Sequence, residues 1–177
     1  KKANELANND LDKSISILFA VSSLRQDNMP LEAISLAKDA LNSRSLNKNF
    51  NHALLVEVGE SYYKLNNFNE AIIYFQDAYK MAANEDERAK DLNLIAKTYA
   101  IDKNFQKAIE YEIKAGLAFE RIGNYDQYVD SGINLASYYS ELGDYVSAEK
   151  TLLKLENFSR QNEGMYYLAK ILYLESR

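Results

Sequence analysis

One spacing recurs along this chain and limits what it can fold into. Gly59 is followed by Tyr62 three residues on and by Ala71 twelve residues on; Phe75 then follows Ala71 by four, and Ala78 follows Phe75 by three. The template returns downstream as Ala96, Tyr99, Ala108 and Ala115, with Glu112 in place of the aromatic ring. It returns again as Ala136, Tyr139, Ala148 and Leu152, and upstream as Val21, Leu24, Ala33, Ala37 and Ala40. The alanines Ala33, Ala71, Ala108 and Ala148 lie 38, 37 and 40 residues apart. A period of this length marks stacked supersecondary units. One unit cannot bury its apolar face alone, so neighbours share a core.

The units are helical. The chain holds one Pro and six Gly. It is rich in good helix formers and shows no hairpin dipeptides between alternating apolar runs. Short breaks divide it: Asp27-Asn28-Met29-Pro30, Leu65-Asn66-Asn67-Phe68, Asp102-Lys103-Asn104-Phe105 and Leu142-Gly143-Asp144-Tyr145. Asn, Asp and Gly tolerate the left-handed backbone of a tight turn. Pro30 suits a first helical turn, where its missing N–H costs nothing. Gly123-Asn124-Tyr125 is one more turn signal, and Asn84 with Glu87 forms a capping-box pattern. The layout predicts helices over 11–26, 30–44, 50–65, 68–83, 87–101, 105–122, 127–142, 145–159 and 163–176.

The Gly59, Tyr62, Ala71, Phe75 and Ala78 spacing strongly resembles the tetratricopeptide repeat signature. The family norm is about 34 residues, so these repeats are longer than consensus by roughly one turn, like those of bacterial regulatory proteins. The resemblance implies an all-α, right-handed α-solenoid of antiparallel helix pairs, about nine helices in all. It implies one array over 1–177, with repeats near 11–48, 49–85, 86–123 and 124–160 and a terminal helix over 161–177. Small residues such as Gly59 and Ala71 would let paired helices approach closely. A larger side chain at Ala71 or Ala108 would overpack the contact by about 1–3 kcal/mol. Tyr62, Tyr99 and Tyr139 are expected as packing residues. The chain starts at Lys1 without an initiator Met and stops at Arg177 inside a helical pattern, which reads as a segment of a longer protein.

Composition narrows the function classes. The chain is 47% hydrophobic and 27% charged, with a net charge of -5 and both signs interspersed. A nucleic-acid footprint needs a concentrated basic face, and a lipid-binding patch needs a basic cluster. Neither is present, so no nucleic acid and no membrane insertion are expected of this segment. No apolar run approaches the ~20 residues that span a bilayer. There is no cysteine, which rules out disulfides and thiolate chemistry. The cytoplasm is the expected compartment, and a periplasm is compatible.

Catalytic signals are weak. His52, the one histidine, has no cysteine or second histidine to complete a metal site. Glu110 and Glu112 are two apart, so on a helix they point away from each other. Glu85-Asp86-Glu87 fits a helix start, where the dipole favours negative charge. No phosphate-cradling or nucleophile-elbow motif occurs. The expectation is therefore no enzyme, no catalytic residue, no metal and no cofactor.

The family resemblance implies a binding face on the first helix of each pair. Carried over residue by residue, it falls on Val56, Glu60, Tyr63 and Lys64; on Lys90, Asn93 and Lys97; and on Asp130, Ile133, Ser137 and Glu141. The final helix adds Tyr166 and Lys170, and the earliest repeat adds Leu18, Ser22 and Arg25. This mixed surface suits a peptide or another helix. The chaperone-type carboxylate clamp is not matched, because Val56 and Glu60 stand where Lys and Asn would be needed. The expected role is a protein- or peptide-binding scaffold, the repeat or sensor region of a bacterial signalling or transcription-regulatory protein. The alternatives are a self-assembly module, in which terminal helices around Tyr166 and Tyr173 pair two chains as a homodimer, and a helical-repeat enzyme.

Overall fold

A computed structural model describes residues 2–43 and 48–162. Among them lie eight α-helices: α1 (Lys2–Gln26), α2 (Pro30–Asn42), α3 (Asn51–Lys64), α4 (Phe68–Met81), α5 (Glu85–Ile101), α6 (Phe105–Arg121), α7 (Tyr125–Glu141) and α8 (Tyr145–Gln161). A single 3-10 turn, Lys48–Phe50, precedes α3. The chain is all-α, and within each unit helices consecutive in sequence pack against one another. Both ends of α2 to α8 fall within two residues of the sequence expectation. α1 differs: it begins at Lys2, nine residues before the expected start. The expected helix over 163–176, with Tyr166, Lys170 and Tyr173, lies outside the described residues.

The same turn is used five times. A residue with positive φ follows the helix end: Asn28 (62°), Asn66 (58°), Lys103 (59°), Gly123 (73°) and Gly143 (79°). The next residue donates its N–H back to a carbonyl of the last helical turn, for example Asn104 to Tyr99 at 2.8 Å and Asp144 to Tyr139 at 2.9 Å. This is the Schellman closure, which satisfies carbonyls a helix end leaves without partners. At three of the five turns the same residue then caps the following helix with its side chain. Asn104, Asn124 and Asp144 accept hydrogen bonds from the N–H groups of Lys107, Gln127 and Ser147. One residue thus closes one helix and opens the next. Asn84 caps α5 by accepting from the Glu87 N–H at 2.9 Å, as the sequence pattern predicts.

The helices gather into two compact units, one ending at Ala83 and the other starting at Asn84. In the first unit, α1 packs on α2 and α3, α2 on α3, and α3 on α4. Its core is built on Val21, Ala33, Ile34, Ala37, Ala40, Leu54 and Val58. Gly59 allows the α3–α4 approach: a Cβ there would lie 2.5 Å from Cε1 and 2.7 Å from Cδ1 of the buried Phe75 ring. In the second unit, α5 packs on α6, α6 on α7, and α7 on α8. Ala89, Ala115, Ala118, Phe119, Tyr128, Val129 and Leu155 form its core.

Of the tyrosines at the repeat positions, Tyr62 and Tyr99 stack on a second ring. Tyr62 stacks on Tyr74 with ring centroids 5.4 Å apart, and Tyr99 stacks on Tyr111 at 5.6 Å. Each stack carries an ammonium group over its face, Lys38 on Tyr62 and Lys107 on Tyr99.

Candidate functional site

In the first unit, Arg25, Glu60 and Lys64, picked out from sequence, meet in a polar network with Glu57, which was not. Arg25 on α1 reaches α3 and is held between two carboxylates. Its Nε lies 2.7 Å from Glu57 Oε2 and its guanidinium nitrogen 2.8 Å from Glu60 Oε2. Lys64 Nζ donates to the Arg25 carbonyl at 2.7 Å, tying the end of α3 to the end of α1. Glu57, Glu60 and Lys64 share one stripe of α3 because helical neighbours are three and four residues apart. Burial pushes the Glu60 carboxyl above its usual range, and Arg25 offsets only part of this. Val56 is half-buried beside this network. Tyr63, also half-buried, packs edge-on against Phe68 with centroids 5.9 Å apart, and burial raises its phenol pKa.

In the second unit, the expected residues take different depths. Lys97 and Ser137 are exposed, and Ile133 is half-buried against the core. Asn93 is buried, and its Nδ2 donates to Glu112 Oε1 at 2.7 Å. The face on α5 and α7 therefore presents Lys97, Ser137 and part of Ile133, while Asn93 serves an interior carboxylate. Tyr166 and Lys170 lie outside the described residues.

That carboxylate is the feature sequence reasoning undervalued. Glu112 stands at the position of Phe75 and is 1% exposed. Its Oε1 accepts from Asn93 on α5 and from Ser131 Oγ on α7, with Asn134 Nδ2 also within 3.5 Å. Its Oε2 is buried and takes no hydrogen bond. Burial pushes the carboxyl up to about 7, against the pull of its three donors and of Lys97. Glu110, two residues away, points to solvent and pairs with Lys114, as the helical spacing requires. The signal available in the sequence was a carboxylate in the aromatic slot of the template. Its partners lie 19 and 22 residues away, so only the fold assembles them.

The acidic start of α5 is structural. Glu85 pairs with Arg88 and with Arg121 at the end of α6, and Asp86 pairs with Lys90 and accepts from Asn124. These contacts fasten α5 to the α6–α7 turn. His52 sits half-buried in the first turn of α3. Among the described residues, no group of three or more His, Asp or Glu side chains is placed to hold a metal ion, and no helix is long and apolar enough to cross a membrane.

Residues 52–85 match the tetratricopeptide repeat family. The fold resembles that of aspartyl phosphate phosphatase F from Bacillus subtilis, with a TM-score of 0.79 at 19% identity over 94% of this chain and 45% of that one. It resembles a Pyrococcus horikoshii signal transduction ATPase with numerous domains that carries a tetratricopeptide repeat sensor, with a TM-score of 0.64 at 25% identity over 82% of this chain and 24% of that one. It also resembles the Rap conjugation gene regulator of the plasmid pLS20, solved in complex with a Phr peptide, with a TM-score of 0.65 at 15% identity over 95% of this chain and 50% of that one. The chain thus spans half or less of each of these three proteins. No curated protein matches its sequence. The architecture is tetratricopeptide-like, as the spacing of Gly59 to Ala78 implies.

Proposed function

We propose that the chain is a protein- or peptide-binding repeat scaffold, the sensor region of a bacterial signalling or transcription-regulatory protein, and that it binds through the exposed face of its first helices. The observation that carries this reading is the Arg25, Glu57 and Glu60 network. It fixes charged side chains of α1 and α3 in place before any partner arrives, beside Val56 and Tyr63. Side chains held in place beforehand lose less entropy on binding, which favours affinity. In the second unit, Lys97, Ile133 and Ser137 offer a cation, an apolar contact and a hydroxyl on the corresponding helices. Such a mixture suits a peptide with both apolar and acidic side chains. Likeness to a Rap regulator solved with a peptide, and to a repeat sensor in a signalling ATPase, supports the same class.

The test is selection from an immobilised library of short random peptides, followed by titration of the selected peptide. Charge reversal at Lys97 and Lys170 weakens binding while the circular-dichroism spectrum stays helical. Unchanged affinity overturns the assignment of this face.

A second reading is favoured by α1. Leu11, Ile15 and Phe19 recur every fourth residue on one stripe and are exposed, Phe19 by 74%. In this reading the stripe pairs two copies of the chain edge to edge. Light scattering over a concentration series decides it: mass rises with concentration if the stripe pairs, and a constant monomer mass removes the reading.

A further inference from the structure

A cavity of about 430 Å³ lies between α6, α7 and α8. Its origin is visible in the repeat register. Tyr62 and Tyr99 each stack on a tyrosine twelve residues on. The residue twelve after Tyr139 is Thr151, so the third pair lacks its ring. Tyr139 and Thr151 both line the cavity, together with Leu135 and the backbone of Gly116 and Gly132.

The lining is mostly apolar, and the charged residues in it are Glu112, Lys150 and Lys154. The two lysines stand one turn apart on α8 and are exposed. Lys154 also lies over the ring of Tyr128, 5.7 Å from its centroid. Glu112 is the buried member, and its Oε2 has no hydrogen-bond partner. A buried carboxylate oxygen without a donor is a costly arrangement, which a ligand donor would relieve. An apolar chamber with a few convergent polar groups is the usual form of a small-molecule site, and this volume lies within the usual range.

We propose that this cavity binds a small amphipathic acid, with an aromatic or apolar body against Tyr139 and Leu135, a hydroxyl or N–H donated to Glu112 Oε2, and a carboxylate at Lys150 and Lys154. The site is separate from the first-helix face. Gly132, Leu135 and Tyr139 form one stripe of α7, while Ile133 and Ser137 form another.

N-acetyl-tyrosine and N-acetyl-phenylalanine are suitable probes, because they differ only in the hydroxyl offered to Glu112. Calorimetric titration of the whole chain at pH 8, where the Glu112 carboxylate is ionised, should show the tyrosine derivative binding about tenfold or more tighter, the usual scale for a hydrogen bond to a charged group. Glu112→Gln cuts that preference, because a neutral amide replaces a charge-assisted acceptor. Reversing both lysines weakens the two probes alike. Thr151→Tyr restores the missing ring, fills the cavity and abolishes binding of both while the chain stays folded. Absence of binding to the unaltered chain, equal affinity for the two probes, or binding that survives Thr151→Tyr would each overturn the proposal.

Discussion

Gly132 and Leu155 exchange the sizes found at the matching positions of the other helix pairs. A Cβ on Gly132 would lie 2.7 Å from both methyl carbons of Leu155. The residues at the same separation in the preceding pairs are Leu55 with Ala78 and Leu92 with Ala115. A large residue on the first helix faces a small one there; in α7 and α8 the small residue is on the first helix. The bulky residue moves from one helix to the other, and the pair keeps all but one methyl of its volume. This is how a close-packed interior tolerates substitution.

Gly132→Ala therefore meets Leu155, which is 2% exposed and has little room to move. Better helix propensity returns about 1 kcal/mol, and overpacking costs about 1–3 kcal/mol. Denaturant unfolding should show a net loss, much larger for Gly132→Leu. The double change Gly132→Leu with Leu155→Ala should recover most of it, a coupling that a double-mutant cycle measures. Additive losses would contradict the size exchange.

Glu112 makes stability depend on pH. Its folded-state value is raised from 4.5 to about 7. The folded chain therefore holds this proton more tightly than the unfolded chain. The stability this contributes is fully present below the unfolded value and is lost as pH rises through about 7. The full span is about 3 kcal/mol, from a shift near 2.5 units at about 1.36 kcal/mol each. Unfolding curves between pH 5 and 8 should show the decline in the unaltered chain and a much flatter profile in Glu112→Gln.

Much of the fold was legible because it rests on local chemistry. The left-handed residues at Asn28, Asn66, Gly123 and Gly143 and the cap at Asn84 are readable from residue type and spacing alone. Lys103 is the exception: a left-handed residue without the usual chemistry, placed there by the helices on both sides. The long start of α1 was missed because Lys2 to Asp10 carries three asparagines and no strong apolar period. The interior of the second unit was missed for a different reason. Asn93, Glu112 and Ser131 look like surface polar residues individually, and only packing places them together. The Thr151 gap and the Gly132 and Leu155 exchange were present in the register, at separations longer than those of the main template.

The turns provide a test of backbone strain. A non-glycine residue in the left-handed region costs about 1–2 kcal/mol. Gly143→Ala should lower stability by about 1 kcal/mol, since its φ is 79° and no neighbouring atom interferes. Lys103→Gly should be neutral or raise stability by up to about 1 kcal/mol, because relief of strain competes with the extra freedom of the unfolded chain. Thermal melts of the two variants shifting in the reverse directions would contradict the turn geometry.

Arg25 joins α1 to α3 through groups that are only partly exposed, 19% for Arg25 and 14% for Glu57. A cycle of Arg25→Ala and Glu57→Ala should give a coupling of roughly 1 kcal/mol. Added salt should reduce this coupling only in part, because half-buried pairs are screened less than exposed ones.

The central claim is that the first-helix face is the binding surface. The most direct measurement is calorimetric titration of a library-selected peptide against the unaltered chain and against Lys97→Glu, with far-ultraviolet circular dichroism on both. The account predicts at least a tenfold loss of affinity, about 1.4 kcal/mol, with an unchanged helical spectrum. Equal affinity for the two chains would contradict it.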